Sequence, residues 1–189
     1  DRFVLKCTHG SGDVVICKDK ARFDYAAAKK KLTRSLHVNY YKIGREWPYK
    51  NVKPRIIAEE YMVDSSTREL RDYKFFCFNG APKMMYISRD AAADTTTDFF
   101  DMDFNHLPIR MKDPNSAILP PKPECFEEMQ RIASVLSEGI PHVRTDFYCA
   151  NSKIYFGELT FFHNGGFTGI KPAEWNYKVG SWIKLPGKE

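Results

Sequence analysis

Asp146 and Glu158 carry the strongest chemical signal in this chain of 189 residues, because they stand twelve positions apart on two short apolar runs. The runs, Val143 to Cys149 and Ile154 to Thr160, flank Ala150-Asn151-Ser152-Lys153 and read as a hairpin. Alternation puts Arg144, Asp146 and Tyr148 on one face, and likewise Phe156, Glu158 and Thr160. An odd loop, Asn151 to Lys153, sets the two carboxylates directly opposite, with Cβ atoms about 4.5–5.5 Å apart. A two-residue turn at Asn151-Ser152 instead sets Asp146 opposite Gly157 and sends Glu158 to the other face. Carboxylates held that close repel unless a cation lies between them, and oxygen-only ligands favour Mg²⁺. The plainer alternative is two solvated acids on an exposed face, which the apolar neighbours Phe147, Ile154, Phe156 and Leu159 argue against.

A second signal is KCTHGSGDVVICK, Lys6 through Lys18. Gly10, Ser11 and Gly12 let the backbone approach a ligand, and turn N–H groups can cradle phosphate oxygens. A β-branched run follows instead of a helix, so the loop caps a hairpin and is no Walker A motif. By itself such a loop is more often an ordinary turn, but Lys6 and Lys18 frame it with positive charge. Glu59-Glu60-Tyr61-Met62 ends an apolar strand and suits a hinge whose backbone meets a purine edge; paired acids at a strand end are also common plain surface. Lys74, in Asp72-Tyr73-Lys74, alternates with apolar residues and can project toward phosphate, or into solvent. His9, His37, His106, His142 and His163 show no metal spacing, and His163-Asn164-Gly165-Gly166 reads equally as a Gly turn or as a loop shaping the metal side. Cys7, Cys17, Cys77, Cys125 and Cys149 contain no CxxC pair and read as buried, reduced thiols of a cytoplasmic protein, without a zinc site.

The elements that position these residues alternate in type. Phe3-Val4-Leu5 opens the chain as a strand, which suggests a piece whose upstream part is missing, and Val14 to Cys17 is its partner. Phe23 to Val38 has helical composition, with a stripe of Phe23, Ala27, Leu32 and Leu36. The breaker-rich GREWPYKNVKP, Gly44 to Pro54, reads as the boundary between a lobe of residues 1–50 and one of 51–189. Arg55 to Val63 follows as a strand and Asp64 to Arg71 as a polar loop. Tyr73 to Phe78 and Lys83 to Ser88 form a hairpin around Asn79-Gly80-Ala81-Pro82. Ala91 to Asp98 reads as a mobile polar stretch, His106 to Pro123 as irregular, and Glu124 to Glu138 as a helix. The result is an α+β chain with mostly antiparallel strands. Hydrophobic residues at 43% can fill one core or two small lobes, and the net charge of +5 favours anionic ligands without arguing for nucleic acid. No apolar run reaches the roughly 20 residues of a membrane span.

The order of these pieces resembles the ATP-grasp superfamily: lysine–glycine flap, acidic hinge, Asp-x-Lys strand, Arg-x-Asp and a downstream Glu. FVLKCTHGSG, GREWPYKNVKPRIIAEEY, DYKFFCFNG, VRTDFY and IYFGELTFFHNGGF are similar to the TupA-like ATP-grasp proteins of bacterial capsule and cell-surface polysaccharide biosynthesis. The resemblance implies two lobes with antiparallel sheets enclosing ATP. Lys6 then reaches the phosphates, with Lys18 nearby, and Gly10, Ser11 and Gly12 form the flap. Glu59 holds the adenine, with the backbone of Glu60 and Met62 along the base, and Asp72 faces the ribose. Lys74 and Arg144 act on the transferred phosphate, and Asp146 and Glu158 bind Mg²⁺. The family's third ligand is typically Asn, where this chain has Thr160; Thr160, Asn164 or water then completes the shell. The implied activity is a ligase that activates a carboxylate on a sugar or polysaccharide precursor as an acyl phosphate and joins it to an amine. A kinase of a glycan hydroxyl and a glycosyltransferase are the alternatives. A protein kinase is excluded, since no HRD-type loop exists and Asp146-Phe147 is followed by Tyr148.

Overall fold

Apolar β-branched runs build a first, three-stranded sheet in the computed structural model, which describes residues 2–65, 70–91 and 94–187. Its strands β1 (Phe3–Cys7) and β2 (Val14–Cys17) form an antiparallel hairpin. Helix α1 (Tyr25–Leu36) is capped by Asp24, whose side chain accepts from the Ala27 N–H at 2.8 Å. It turns Ala28, Leu32 and Ser35 inward, a face shifted from the stripe expected from the sequence. A short α2 (Tyr41–Gly44) and β3 (Ile56–Glu60) follow. The division between units falls after Met62, separating Asp1–Met62 from Val63–Glu189, and not near residue 50. The physical reason is β3, whose Ile56-Ile57-Ala58 run fills the second edge of β1 and so belongs to the first sheet.

The second unit holds a six-stranded antiparallel sheet in the order β7-β6-β5-β4-β8-β9. In chain order these are β4 (Asp72–Phe78), β5 (Ala81–Ala91), β6 (Asp94–Phe100) and β7 (His106–Leu107), then β8 (Val143–Ala150) and β9 (Lys153–Thr160). Between β7 and β8 runs α3 (Phe126–Leu136), and α4 (Glu174–Ser181) lies near the end. One face of the sheet buries Phe75, Met85, Ile87, Val143 and Phe147 against Phe126, Met129 and Ala133 of α3. On the other face Phe76, Phe78, Met84 and Phe99 pack with Ile109 and Ile170, and Trp175, Val179 and Trp182 of the α4 region cover them. The rest of that face is polar.

Three expectations change. The stretch expected to be mobile contains β6, paired along β5, because Thr95-Thr96-Thr97 is β-branched and fits a pleated surface; Ala92 and Ala93 of that stretch lie outside the described residues. Residues 66–69 of the expected polar loop also lie outside them. Cys125 and Cys149 are joined as a disulfide with Cα atoms 6.5 Å apart, because the start of α3 adjoins β8; Cys7, Cys17 and Cys77 are free and buried. For the joined pair, the argument from reduced thiols to a cytoplasmic protein no longer stands. Among the described residues, no helix is long and apolar enough to cross a membrane.

The two hairpins of this sheet share one device. Asn79-Gly80 and Asn151-Ser152 are two-residue turns with positive φ at all four positions. Each is followed by a one-residue bulge, at Lys83 in β5 and at Gly157 in β9, where the registers shift. The even turn alone sets Asp146 opposite Gly157, as the sequence argument requires. The bulge then adds one residue and brings Glu158 opposite Asp146 after all, while Phe156 pairs with Phe147 and leaves Asp146's row. The two bulges together align Tyr86, Lys74, Asp146 and Glu158 in one row across four strands.

Gly157 permits the second bulge. A Cβ there would sit 3.1 Å from the Asp146 carbonyl oxygen and 3.5 Å from its Cβ. Gly157→Ala should therefore destabilise the protein by about 1–2 kcal/mol, read as a lower denaturant midpoint. An unchanged midpoint would show that the strands can part to admit a methyl group.

Candidate active site

Asp146 is 2% exposed, and a buried carboxylate needs partners to stay charged. Arg144, two residues earlier on the same face of β8, supplies a fork: Nε donates to Oδ1 at 2.7 Å and Nη2 to Oδ2 at 2.6 Å. Lys74, across on β4, donates from Nζ to Oδ2 at 2.7 Å and lies 3.5 Å from Asp72. The same Nη2 of Arg144 reaches Glu158 Oε1 at 3.0 Å and Thr160 Oγ1 at 2.9 Å, and Thr160 also donates to Glu158. Nη1 donates to Nδ1 of His163. The cation that two close carboxylates demand is thus, in the first place, the guanidinium of Arg144. Glu158 remains 59% exposed at the side chain, so the cluster runs from a buried anchor to an open edge.

The electrostatics follow burial. Burial works against Arg144's charge, but its hydrogen bonds to Asp146 outweigh that and hold its pKa above the ordinary value. Burial pushes His163 down to about 3, helped by the neighbouring Arg144 charge. Its ring is therefore neutral and accepts at Nδ1. Burial also raises the Tyr86 and Tyr148 phenols. Asp72 is raised by burial while Lys74 pulls the other way. The ring of Tyr86 lies 5.9 Å below the Arg144 guanidinium carbon. Tyr86 and His163 complete the cluster beyond the sequence argument. His163 was half-visible as a loop residue. Tyr86 was hidden because the Asn79-Gly80 turn alone sets Met85 opposite Lys74, and the Lys83 bulge replaces it.

The remaining expected residues fall in two places. In the first unit, Lys6 Nζ and Glu59 Oε2 form an ion pair at 2.8 Å, both partly exposed. The register puts them on one face with Val4, Val14, Ile16 and Ile57, a mostly apolar and exposed surface. Gly10, Ser11 and Gly12 form the bend between β1 and β2, with Gly12 at φ +91°. Glu60 pairs with Phe3 at the end of β3, and Met62 closes this unit. Lys18 follows β2 and lines a groove of about 630 Å³ with Arg22 and Lys31. In the second unit Asp72, Lys74, Arg144, Asp146, Glu158 and Thr160 converge, whereas Asn164 lies 3.1 Å from His163 Nε2 and joins neither carboxylate.

For a divalent cation the donor set fits in type. Asp146, Glu158 and Thr160 offer oxygen only, and Mg²⁺ is commonly held by one or two carboxylates together with substrate phosphates. The closest grouping of three possible metal-binding side chains among the described residues is elsewhere, at Glu124, Cys125 and Cys149, and the disulfide removes both thiols from it.

The second sheet of this α+β chain thus carries one charged row on β4, β8 and β9. The chain matches the family model of the TupA-like ATPgrasp proteins over residues 1–184 and belongs to that family. No curated protein matches it. Among solved structures it is similar to D-alanine–D-alanine ligase from Bacillus anthracis complexed with ATP, with 16% identity and a TM-score of 0.44, covering 85% of this chain and 41% of that one. A second structure of the Bacillus anthracis ligase gives 17% and 0.45, covering 85% and 43%. The chain thus spans less than half the length of these ligases.

His163 makes a pH prediction. Its folded pKa of about 3 lies below the ordinary 6.5, so between those values the unfolded chain binds more protons. Stability should then fall as pH drops from about 6.5 toward 3, in urea titrations read against pH. His163→Gln should flatten that slope. An unchanged slope in the variant would mean that His163 takes up its proton without leaving Arg144.

Proposed function

We propose that this chain is the nucleotide-binding and phosphate-transfer portion of an ATP-dependent ligase that joins a carboxylate on a sugar or polysaccharide precursor to an amine. The observation that carries the reading is the charged row on the second sheet. Two cations, Lys74 and Arg144, are fixed by a buried carboxylate and stand beside an exposed one, Glu158. Such an arrangement suits a polyanion that must be held and neutralised while a phosphoryl group moves. Membership of an ATPgrasp family over nearly the whole chain supports ATP as that polyanion.

In this reading the acceptor carboxylate oxygen attacks the γ-phosphorus of ATP, the bond to the β-γ bridging oxygen breaks, and ADP leaves. The amine then attacks the acyl carbon, inorganic phosphate departs, and the nitrogen gives up a proton to yield the amide. Lys74 and Arg144 hold the transferred group, and Lys6 exchanges Glu59 for phosphate oxygens. The bend at Gly10, Ser11 and Gly12 offers backbone N–H groups to phosphate oxygens. Glu59, with the backbone of Glu60 and Met62, takes the base, Asp72 takes the ribose, and Lys18 adds positive charge. Asp146, Glu158 and Thr160 would hold Mg²⁺, which when bound supplies charge neutralisation at the phosphates. ATP as co-substrate fits a cytoplasmic site of action.

Two measurements test this. Lys6→Ala should weaken ATP binding about tenfold or more, while stability changes by no more than ~1 kcal/mol, because the exposed pair with Glu59 contributes little. A sharply lower melting temperature with unchanged ATP affinity would reverse the assignment. The full-length protein, given ATP, Mg²⁺, uronic acids and amines, should release ADP and phosphate in equal amounts and yield an amide by mass spectrometry. A phosphorylated sugar with no free phosphate would make it a kinase.

A further inference from the structure

Behind the glycine-rich bend, within the first unit, lies a cavity of about 240 Å³. Its wall includes Tyr40 and Tyr49, whose rings meet edge to face at 4.7 Å, together with Val52, Lys50 and His9. His9 is 5% exposed, and its Nε2 lies 3.1 Å from the Ser35 carbonyl oxygen. A carbonyl only accepts, so Nε2 carries a ring proton, which in the singly protonated ring leaves Nδ1 a bare lone pair. Among the described residues nothing donates to it. A buried acceptor without a donor is unfavourable, and the cavity beside it is where a ligand's O–H can enter.

We propose that this cavity binds one acidic sugar residue, with a ring hydroxyl donating to His9 Nδ1, the C–H face lying on the tyrosine rings and the carboxylate at the cavity's mouth, where Lys50 turns toward Trp47. Its volume is below the roughly 300–1,000 Å³ of pockets for drug-sized ligands, which suits one sugar ring and not a nucleotide. An amine could also donate to His9, but the first unit carries 14 lysines and arginines against 7 acidic residues, a net +7 that repels cations. Outside the cavity the aromatic surface continues. Trp47 is 61% exposed, Lys50 Nζ sits 3.9 Å over its ring, and Tyr41 lies 6.2 Å away. That continuation suits a polymer more than a free monosaccharide.

The cavity is also joined to the bend. A Cβ at Gly10 would lie 3.1 Å from Tyr40 Cδ2, so the backbone at Gly10 rests on the ring that walls the cavity, and His9 is its chain neighbour. A sugar seated there steadies the segment that, in the ligase reading, closes on phosphate. The inference rests on that reading for the sugar's role as acceptor; its binding is tested without nucleotide.

The experiment is NMR titration of the full-length protein with methyl glucuronoside, and with methyl glucoside as the uncharged control, following the His9 ring nitrogens and the Trp47 indole. Glucuronoside should shift His9 Nδ1, and both Lys50→Met and the change to glucoside should weaken binding about tenfold, the loss of one charge-assisted hydrogen bond. A His9 signal that glucuronoside leaves unmoved, or equal affinity in Lys50→Met, overturns the proposal. An ATP titration of the same sample keeps the two readings apart. ATP binding with an unmoved His9 removes the sugar site alone, and sugar binding without ATP binding removes the ligase reading alone.

Discussion

One buried carboxylate organises the charged row of the second unit. Asp146 has left water almost completely, and Arg144 and Lys74 donate to it from two strands. Each partner depends on further structure. Arg144 is held further by Glu158 and Thr160, through the Nη2 that also meets Asp146, and by the neutral His163 through Nη1, while Lys74 stands next to Asp72. The two bulges bring these residues into one row, and α3 closes the opposite face of the sheet so that the row has a rigid base. Replacing one partner alone would leave a buried ion uncompensated, which costs about 3–5 kcal/mol.

Much of this was legible in the sequence, and the misses have physical causes. The residue types at Arg144, Asp146 and Glu158 and their alternation along short strands point to facing positions, while for Lys74 the sequence leaves phosphate and solvent both open. The expected pairing of Asp146 with Glu158 is present, but a different device makes it. The sequence argument requires an odd loop, whereas the chain uses an even turn and an inserted glycine. The signal was present, since a lone Gly157 inside a strand pattern marks a bulge. Two close carboxylates call for a cation, and Arg144, which alternation puts on the face of Asp146, supplies one with its guanidinium. Local pattern alone does not say which way a long guanidinium folds back.

The first unit was less legible because its pairing is long-range. Ile56–Glu60 joins β1 from about fifty residues away, and no turn chemistry announces that. The breaker-rich GREWPYKNVKP stretch looked like a linker, yet it carries Trp47 and Tyr49 and walls the cavity next to His9. The thiols were misjudged for the same reason. Cys125 and Cys149 meet only because α3 begins beside β8, and sequence separation of 24 hides that contact.

In the proposed reading the Lys74–Arg144–Asp146 cluster serves a bound polyanion. A triple variant, Lys74→Met, Arg144→Met and Asp146→Leu, tests it most directly, with unfolding and ATP binding measured on the same protein. Replacing a buried ionic cluster as a whole by apolar side chains of similar size is commonly neutral or stabilising by about 1–4 kcal/mol. The account therefore predicts a folded variant of equal or greater stability whose ATP affinity is lower by about a hundredfold or more. A variant that binds ATP as the wild type does, or that no longer folds, would contradict it.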